Sequence, residues 1–324
     1  MNRLAAGFVL CLAFGLLAGG CAPAKFKEPL ANYQQSVATS TAVLEAYYSG
    51  LNQADRTEYL SARLYNPQLE VLIKQEVPTQ DPLKKKQSEY TPLIGSGFSP
   101  AGIKVRMDLL NHLAVLGQRL SELAGNTAPT QSGASLQALS GGFFSLVEKI
   151  NKAAGTPDSM SSYADPVGKL LNMCMEAGMT IYRDKQVAEF IKQSKDPVMA
   201  ILNALDADLT ALGGLTADQY LEQVKNAASS YNKERRSSRM TFAEREHRLE
   251  MIDLLAQKYV AAQLNNPADL VKSMKKSFIQ LADYAEHYTD VKSLERLKAE
   301  LSAQADFVSQ FAEQVAKIVA INPQ

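Results

Sequence analysis

The chain has no tryptophan and only three histidines, three cysteines and 18 glycines in 324 residues. Each scarcity excludes something. Little glycine and no tryptophan, beside abundant Ala, Leu, Gln, Lys and Glu, argue for helix over strand. The histidines are His112, His247 and His287, and none has a second histidine four residues away, as a helical zinc site would need. Glu244-Arg245-Glu246-His247-Arg248 is not the His-Glu-x-x-His order of a zinc protease and reads as a solvated charged face. His112 lies among Leu109, Leu110 and Leu113, at the margin of an apolar face, and reads as a core histidine. There is no Gly-x-Ser-x-Gly elbow, Walker loop or dinucleotide glycine fingerprint. Gly95-Ser96-Gly97-Phe98-Ser99 holds a serine between glycines, but it belongs to a proline-flanked loop with no strong strand before it. No catalytic residue, metal ligand or cofactor site is therefore expected. Nor does either charge sign dominate. Without residues 1–20 the chain keeps 33 basic and 34 acidic side chains over 304 residues, which gives no general field for nucleic acid.

What is present begins at the first residue. Met1-Asn2-Arg3 precedes the apolar run Leu4 to Ala18, and the segment closes on Ala18-Gly19-Gly20-Cys21. One positive charge, an apolar stretch and small residues before a cut have the three-part form of a secretory signal. The run holds about 15 residues, short of the roughly 20 that span a bilayer. Cysteine directly after Ala-Gly-Gly resembles the lipobox of bacterial lipoproteins, although Ala18 stands where that pattern favours leucine. The resemblance covers about 21 positions. It implies diacylglycerol on Cys21, cleavage before it and acylation of the new terminus, palmitate being the usual acyl class. An uncleaved anchor or a signal cut elsewhere is the competing reading. Ala22 resembles the class not retained at the inner membrane. That implies the outer membrane facing the periplasm in a diderm host, or the outer leaflet of the single membrane otherwise. Cys11 leaves with the signal and Cys21 carries lipid, so Cys174 is the one remaining thiol and no intramolecular disulfide can form. Packing alone must hold the fold.

The chain then divides into a signal peptide (1–20), a lipidated tether (21–29), an N-terminal helical region (30–152) and a C-terminal helical bundle (165–324). The last two can also form one continuous domain. Leu30, Val37, Leu44 and Leu51 recur at intervals of seven, with Tyr33 and Tyr47 three places on, which makes a stripe that must pack on a partner helix. That helix ends before Asn66-Pro67. Residues 66–99 form a long loop rich in proline. Ser99-Pro100 opens a helix with Leu109, Leu113, Leu116, Leu120 and Leu123 at four-three spacing, closed by Gly125-Asn126. Leu136, Leu139, Phe143, Val147 and Ile150 mark another over about 133–152. Gly141-Gly142 within it predicts either close approach of a neighbour or a bend. The Gly-, Pro- and Ser-rich stretch 153–164 is the candidate boundary. Asp165-Pro166 and Asp196-Pro197 read as helix starts, Gly213-Gly214 as a stop, and Thr216 to Gln219 as a capping box. A second box at Thr241-Phe242-Ala243-Glu244 offers a restart, Asn266-Pro267 ends that helix, and segments 268–287 and 291–320 complete the chain.

An all-α bundle of about eight or nine helices is the expected fold, with long antiparallel helices in the C-terminal half. Three clusters invite a functional reading. Met173-Cys174-Met175 with Met179 offers soft ligands for Cu(I). Residues two apart on a helix point to nearly opposite sides, however, so core filling around a buried thiol fits better. Two basic runs, Lys84–Lys86 and Lys233–Arg239, read as solvated faces, the second at the tip of a helical hairpin. Tyr47, Tyr48, Tyr59, Tyr65 and Tyr90 read as core tyrosines with hydroxyls at the rim. The expected function is that of a lipid-anchored cell-envelope protein acting as a non-catalytic interaction or structural module. Its partners would be the membrane, through its anchor, and a protein. The rivals are an envelope enzyme acting on glycan, peptide or lipid, and a helical toxin, immunity or self-protection factor.

Overall fold

Three-four spacing of apolar residues sets the architecture. Leu30, Tyr33, Val37, Leu44, Tyr47 and Tyr48 fall on one side of a helix, and all are buried in the structure, a computed structural model. It describes residues 25–65, 68–69, 100–125, 129–153, 161–177, 184–236 and 240–320. Eight helices appear among these residues and no strand: α1 (Lys27–Tyr65), α2 (Pro100–Gly125), α3 (Pro129–Ala153), α4 (Ser161–Ala177), α5 (Asp184–Glu234), α6 (Phe242–Leu264), α7 (Ala268–Glu286) and α8 (Val291–Ala320). The all-α bundle expected from the sequence is the fold. The signal, Cys21 and most of loop 66–99 lie outside the described residues, as do Lys84–Lys86, Tyr90 and Met179.

The bundle is built from antiparallel neighbours. α1 packs along α2, with the Ser121 hydroxyl donating to the Lys27 carbonyl at one end. α7 runs back along α5, tied by Lys275–Asp206 at 3.0 Å and Lys195–Asp283 at 3.6 Å. α8 returns beside α7 and α1, and Lys298 meets Glu28 at 3.0 Å. α1 to α5, α7 and α8 all supply side chains to one apolar core, so residues before and after 153–164 share it. Of the α8 seam expected from Leu294, Leu297, Leu301, Val308, Phe311, Val315 and Ile318, Leu297, Leu301, Val308, Phe311 and Val315 are buried and Leu294 is half-buried, while the Ile318 side chain lies outside those described. α6 contributes nothing to that core.

Three helix boundaries differ from the local signals. α4 begins at Ser161 and carries Pro166 within it, because Tyr163 is already seated in the core. α5 runs unbroken for 51 residues through Asp196-Pro197 and Gly213-Gly214. An internal proline costs about 3 kcal/mol. Here Val198, Ile201, Leu202, Leu205 and Leu209 are all buried beyond it, and each buried side chain is worth roughly 1.5–3 kcal/mol. Gly213 is set by close packing, since a Cβ there would lie 2.9 Å from the Asn266 Oδ1. No helix starts at Thr216, which lies inside α5, and its hydroxyl accepts from the Tyr47 hydroxyl at 3.1 Å. Thr241 is the true cap. Its hydroxyl accepts from the Glu244 amide, and the Glu244 carboxylate accepts from the Thr241 amide at 2.7 Å.

The two ends of the molecule differ. At one, Phe26 stacks on Tyr284 and Tyr288 with centroids 5.1 and 5.6 Å apart, and the Tyr284 hydroxyl donates to the Lys25 carbonyl. Burial and the nearby Asp184 carboxylate both hold the Tyr284 phenol above its ordinary pKa, which places the start of α5 at this same end. At the other end α5 continues past the core and turns into α6.

Candidate interaction surface

Past Thr216, α5 and α6 form a two-helix hairpin. Among the described helices α6 touches only α5 and α8. Tyr220 and Ala262 make a small apolar cluster at the hairpin's base, with Ala217, Tyr259 and Ala261 against it. The Lys258 ammonium lies 5.8 Å from the centre of the Tyr220 ring, and burial holds its pKa below the ordinary lysine value. Arg248 and Glu234 join the two helices near the tip at 3.0 Å.

The outer side of α6 carries a row of apolar residues with the exposed Glu246 and Asp253 set among them. Phe242, Leu249, Ala256, Val260 and Leu264 follow one another at seven, seven, four and four residues, a spacing that keeps them on one face. Phe242 is 73% exposed, Leu249 48%, Val260 48% and Leu264 75%. At 1.5 Å per residue the stripe is about 33 Å long. Single exposed apolar residues are ordinary on any surface, whereas an aligned row along a projecting helix is the form that helix-docking faces take.

A second feature joins four helices. The Arg106 side chain, only 4% exposed, sends Nη2 and Nε to Asp208 Oδ2 at 3.0 and 3.1 Å, and its Nη1 donates to the Gly102 carbonyl. The Tyr163 hydroxyl donates to the same Asp208 oxygen at 2.7 Å. Tyr48 is fully buried beside the guanidinium. Desolvation works against the Arg106 charge, but Tyr48, Asp208 and Tyr163 outweigh it and hold the pKa above the ordinary value. The group pins α1, α2, α4 and α5 together. Neither Arg106 nor Asp208 stands out in the sequence. Their one signal is position, since Arg106 lies three residues before Leu109 and Asp208 three after Leu205, on the apolar faces themselves.

The other sequence candidates are dispersed. Cys174 is buried, and burial pushes its thiol up to about 12, so it is an inert core residue. Met173 packs against the core, but Met175 is exposed, which corrects the expectation that it fills the core. His112 is half-buried, its ring 5.4 Å from that of Phe143, with Nδ1 donating to the Asp108 carbonyl. His287 follows α7 and His247 is exposed on α6. Among the described residues no three His, Cys, Asp or Glu side chains gather as metal ligands. Tyr47 and Tyr48 are buried, while Arg63 stacks over the half-buried Tyr59 at 3.3 Å. A cavity of about 10 Å³ between α1, α2, α5 and α7 is lined by Leu30, Leu113, Phe278 and Leu281 and has no room for a ligand. Among the described helices α5 alone is long and apolar enough over one stretch to cross a membrane by length and composition. Its row from Val198 to Leu209 lies in the core. No protein-family model, no curated protein and no solved structure matches the chain.

Proposed function

We propose that this is a lipid-anchored cell-envelope protein that works as a non-catalytic interaction or structural module, offering the outer face of α6 to a helical protein partner. The single observation that carries the reading is the row from Phe242 to Leu264 on a helix that adds nothing to the main core. The mechanism is positional. Acyl chains on Cys21 hold one end at a bilayer, the tether expected over 21–29 is cut short because Phe26 is buried and α1 already starts at Lys27, and the bundle sets the hairpin at the opposite end. Ala22 supports an outer-membrane, periplasm-facing placement in a diderm host. Cys21 as the lipidation site rests on the lipobox resemblance alone.

Two measurements test it. Cys21→Ser should abolish incorporation of labelled palmitate and leave an unprocessed precursor; unchanged labelling would remove the anchor from the reading. A photo-crosslinking side chain at Leu249 or Val260 should give one discrete adduct in intact cells, and the same group at Lys169, exposed on α4, should give none. Equal patterns at the three positions would mean that the row is not a docking face.

A further inference from the structure

We propose that the tip of the α5–α6 hairpin binds an anionic phospholipid surface. Lys233, Arg235 and Arg236 end α5 and enter the turn, and all three are exposed. Phe242 opens α6 directly after the turn and is 73% exposed. Segment 233–248 holds six basic and three acidic residues, which leaves the rest of the chain after residue 20 with 27 basic and 31 acidic. The tip is thus a local positive pole on a body of slight negative charge. Two of its three acids are committed, Glu234 to Arg248 and Glu244 to the Thr241 cap. Met240, just before α6, is buried at 8% exposed.

Cations and an apolar ring on one point are what an anionic bilayer interface accepts. Phosphates take the guanidinium and ammonium groups, and the ring enters the boundary with the acyl chains. Fifty helical rises carry α5 about 75 Å from the end that holds Phe26 and Tyr284 to Glu234 at the tip of the hairpin. Together with acyl chains on Cys21, which rest on the function proposed above, the tip would hold two lipid surfaces apart by a distance on the order of the length of α5.

The test uses the chain from residue 21 onward carrying Cys21→Ser, so no acyl group is present and the result does not depend on the anchor. It should sediment with phosphatidylglycerol–phosphatidylcholine vesicles, should not sediment with phosphatidylcholine alone, and should be released by salt. Arg235→Glu with Arg236→Glu should weaken binding by more than about tenfold, since each cation near such a surface contributes on the order of 1 kcal/mol. Phe242→Ser should weaken it by about tenfold. Lys169→Glu, a reversal on the body, should leave it unchanged. All of these positions are exposed, and an unaltered circular dichroism spectrum checks the fold. No binding to the anionic vesicles, equal binding to neutral ones, or binding indifferent to Arg235 and Arg236 would overturn the proposal. Binding to polyglutamate but not to vesicles would assign the tip to an acidic protein and overturn it equally.

Discussion

Arg106 places a full charge inside a helical bundle, and Asp208 is the reason it can stay. Removing one member of such a pair strands the other in a low dielectric, which costs about 3–5 kcal/mol, whereas removing both costs far less. Asp208 is about a third exposed, so the lower end applies. Asp208→Asn is expected to cost about 3 kcal/mol and Arg106→Met a similar amount. The double variant should cost clearly less than the two together, with urea denaturation as the measurement. Strict additivity would mean that the charges are not coupled. Tyr163 limits the recovery, because its hydroxyl also loses the carboxylate it now bonds at 2.7 Å. This pin was hard to read from the chain because a lone arginine on an apolar face looks like any other helix former. Cys174 was legible, since a small thiol among Leu170, Leu171 and Met173 has few roles other than core.

Helix α3 separates two adjacent glycines that look alike in sequence. Gly141 faces open space, while a Cβ on Gly142 would run into the His112 ring. Gly141→Ala should therefore stabilise the protein by up to about 1 kcal/mol through helix propensity alone. Gly142→Ala should destabilise it, because His112 is held between Phe143 and its bond to the Asp108 carbonyl. Thermal melts of the two variants should shift in opposite directions, and a rise in both would show that His112 yields freely. Of the two alternatives the Gly-Gly pair raised, close approach is correct, and α3 continues through it. Legibility varied along the chain for the same reason. The bounds of α6, α7 and α8 follow from local chemistry, the Thr241–Glu244 box and the Asn266-Pro267 turn. In α5, Pro197 and Gly213-Gly214 imitate a start and a stop, and what overrides them is burial on both sides, which no window of sequence contains. Gly213 is glycine because Asn266, 53 residues later, packs on it.

At the scale of the molecule, seven helices share one core and one does not, and this asymmetry has consequences for motion. Of the side chains on α6, only Lys258 and Ala262 are buried, both near its base, whereas α7 buries ten residues of a shorter helix. The hairpin's face was only partly legible in advance. The sequence shows that Lys233–Arg239 interrupts an apolar stripe, but it cannot show that the row Leu249, Val260 and Leu264 lacks a partner, since a core helix would carry the same spacing. Local stability follows buried contacts, so amides of α6 and of α5 beyond Thr216 should open together at a lower free energy than those of α7 or of α5 before Leu209. Native-state hydrogen exchange at increasing urea measures this directly. The hairpin amides should exchange first and merge with the body only near global unfolding. A single unit opening throughout would mean that α6 is held as firmly as the core helices, by contacts other than those of Tyr220 and Ala262. Early opening would fit a docking element, because a partner that covers the stripe supplies the burial the isolated hairpin lacks, and protection there should then rise on binding.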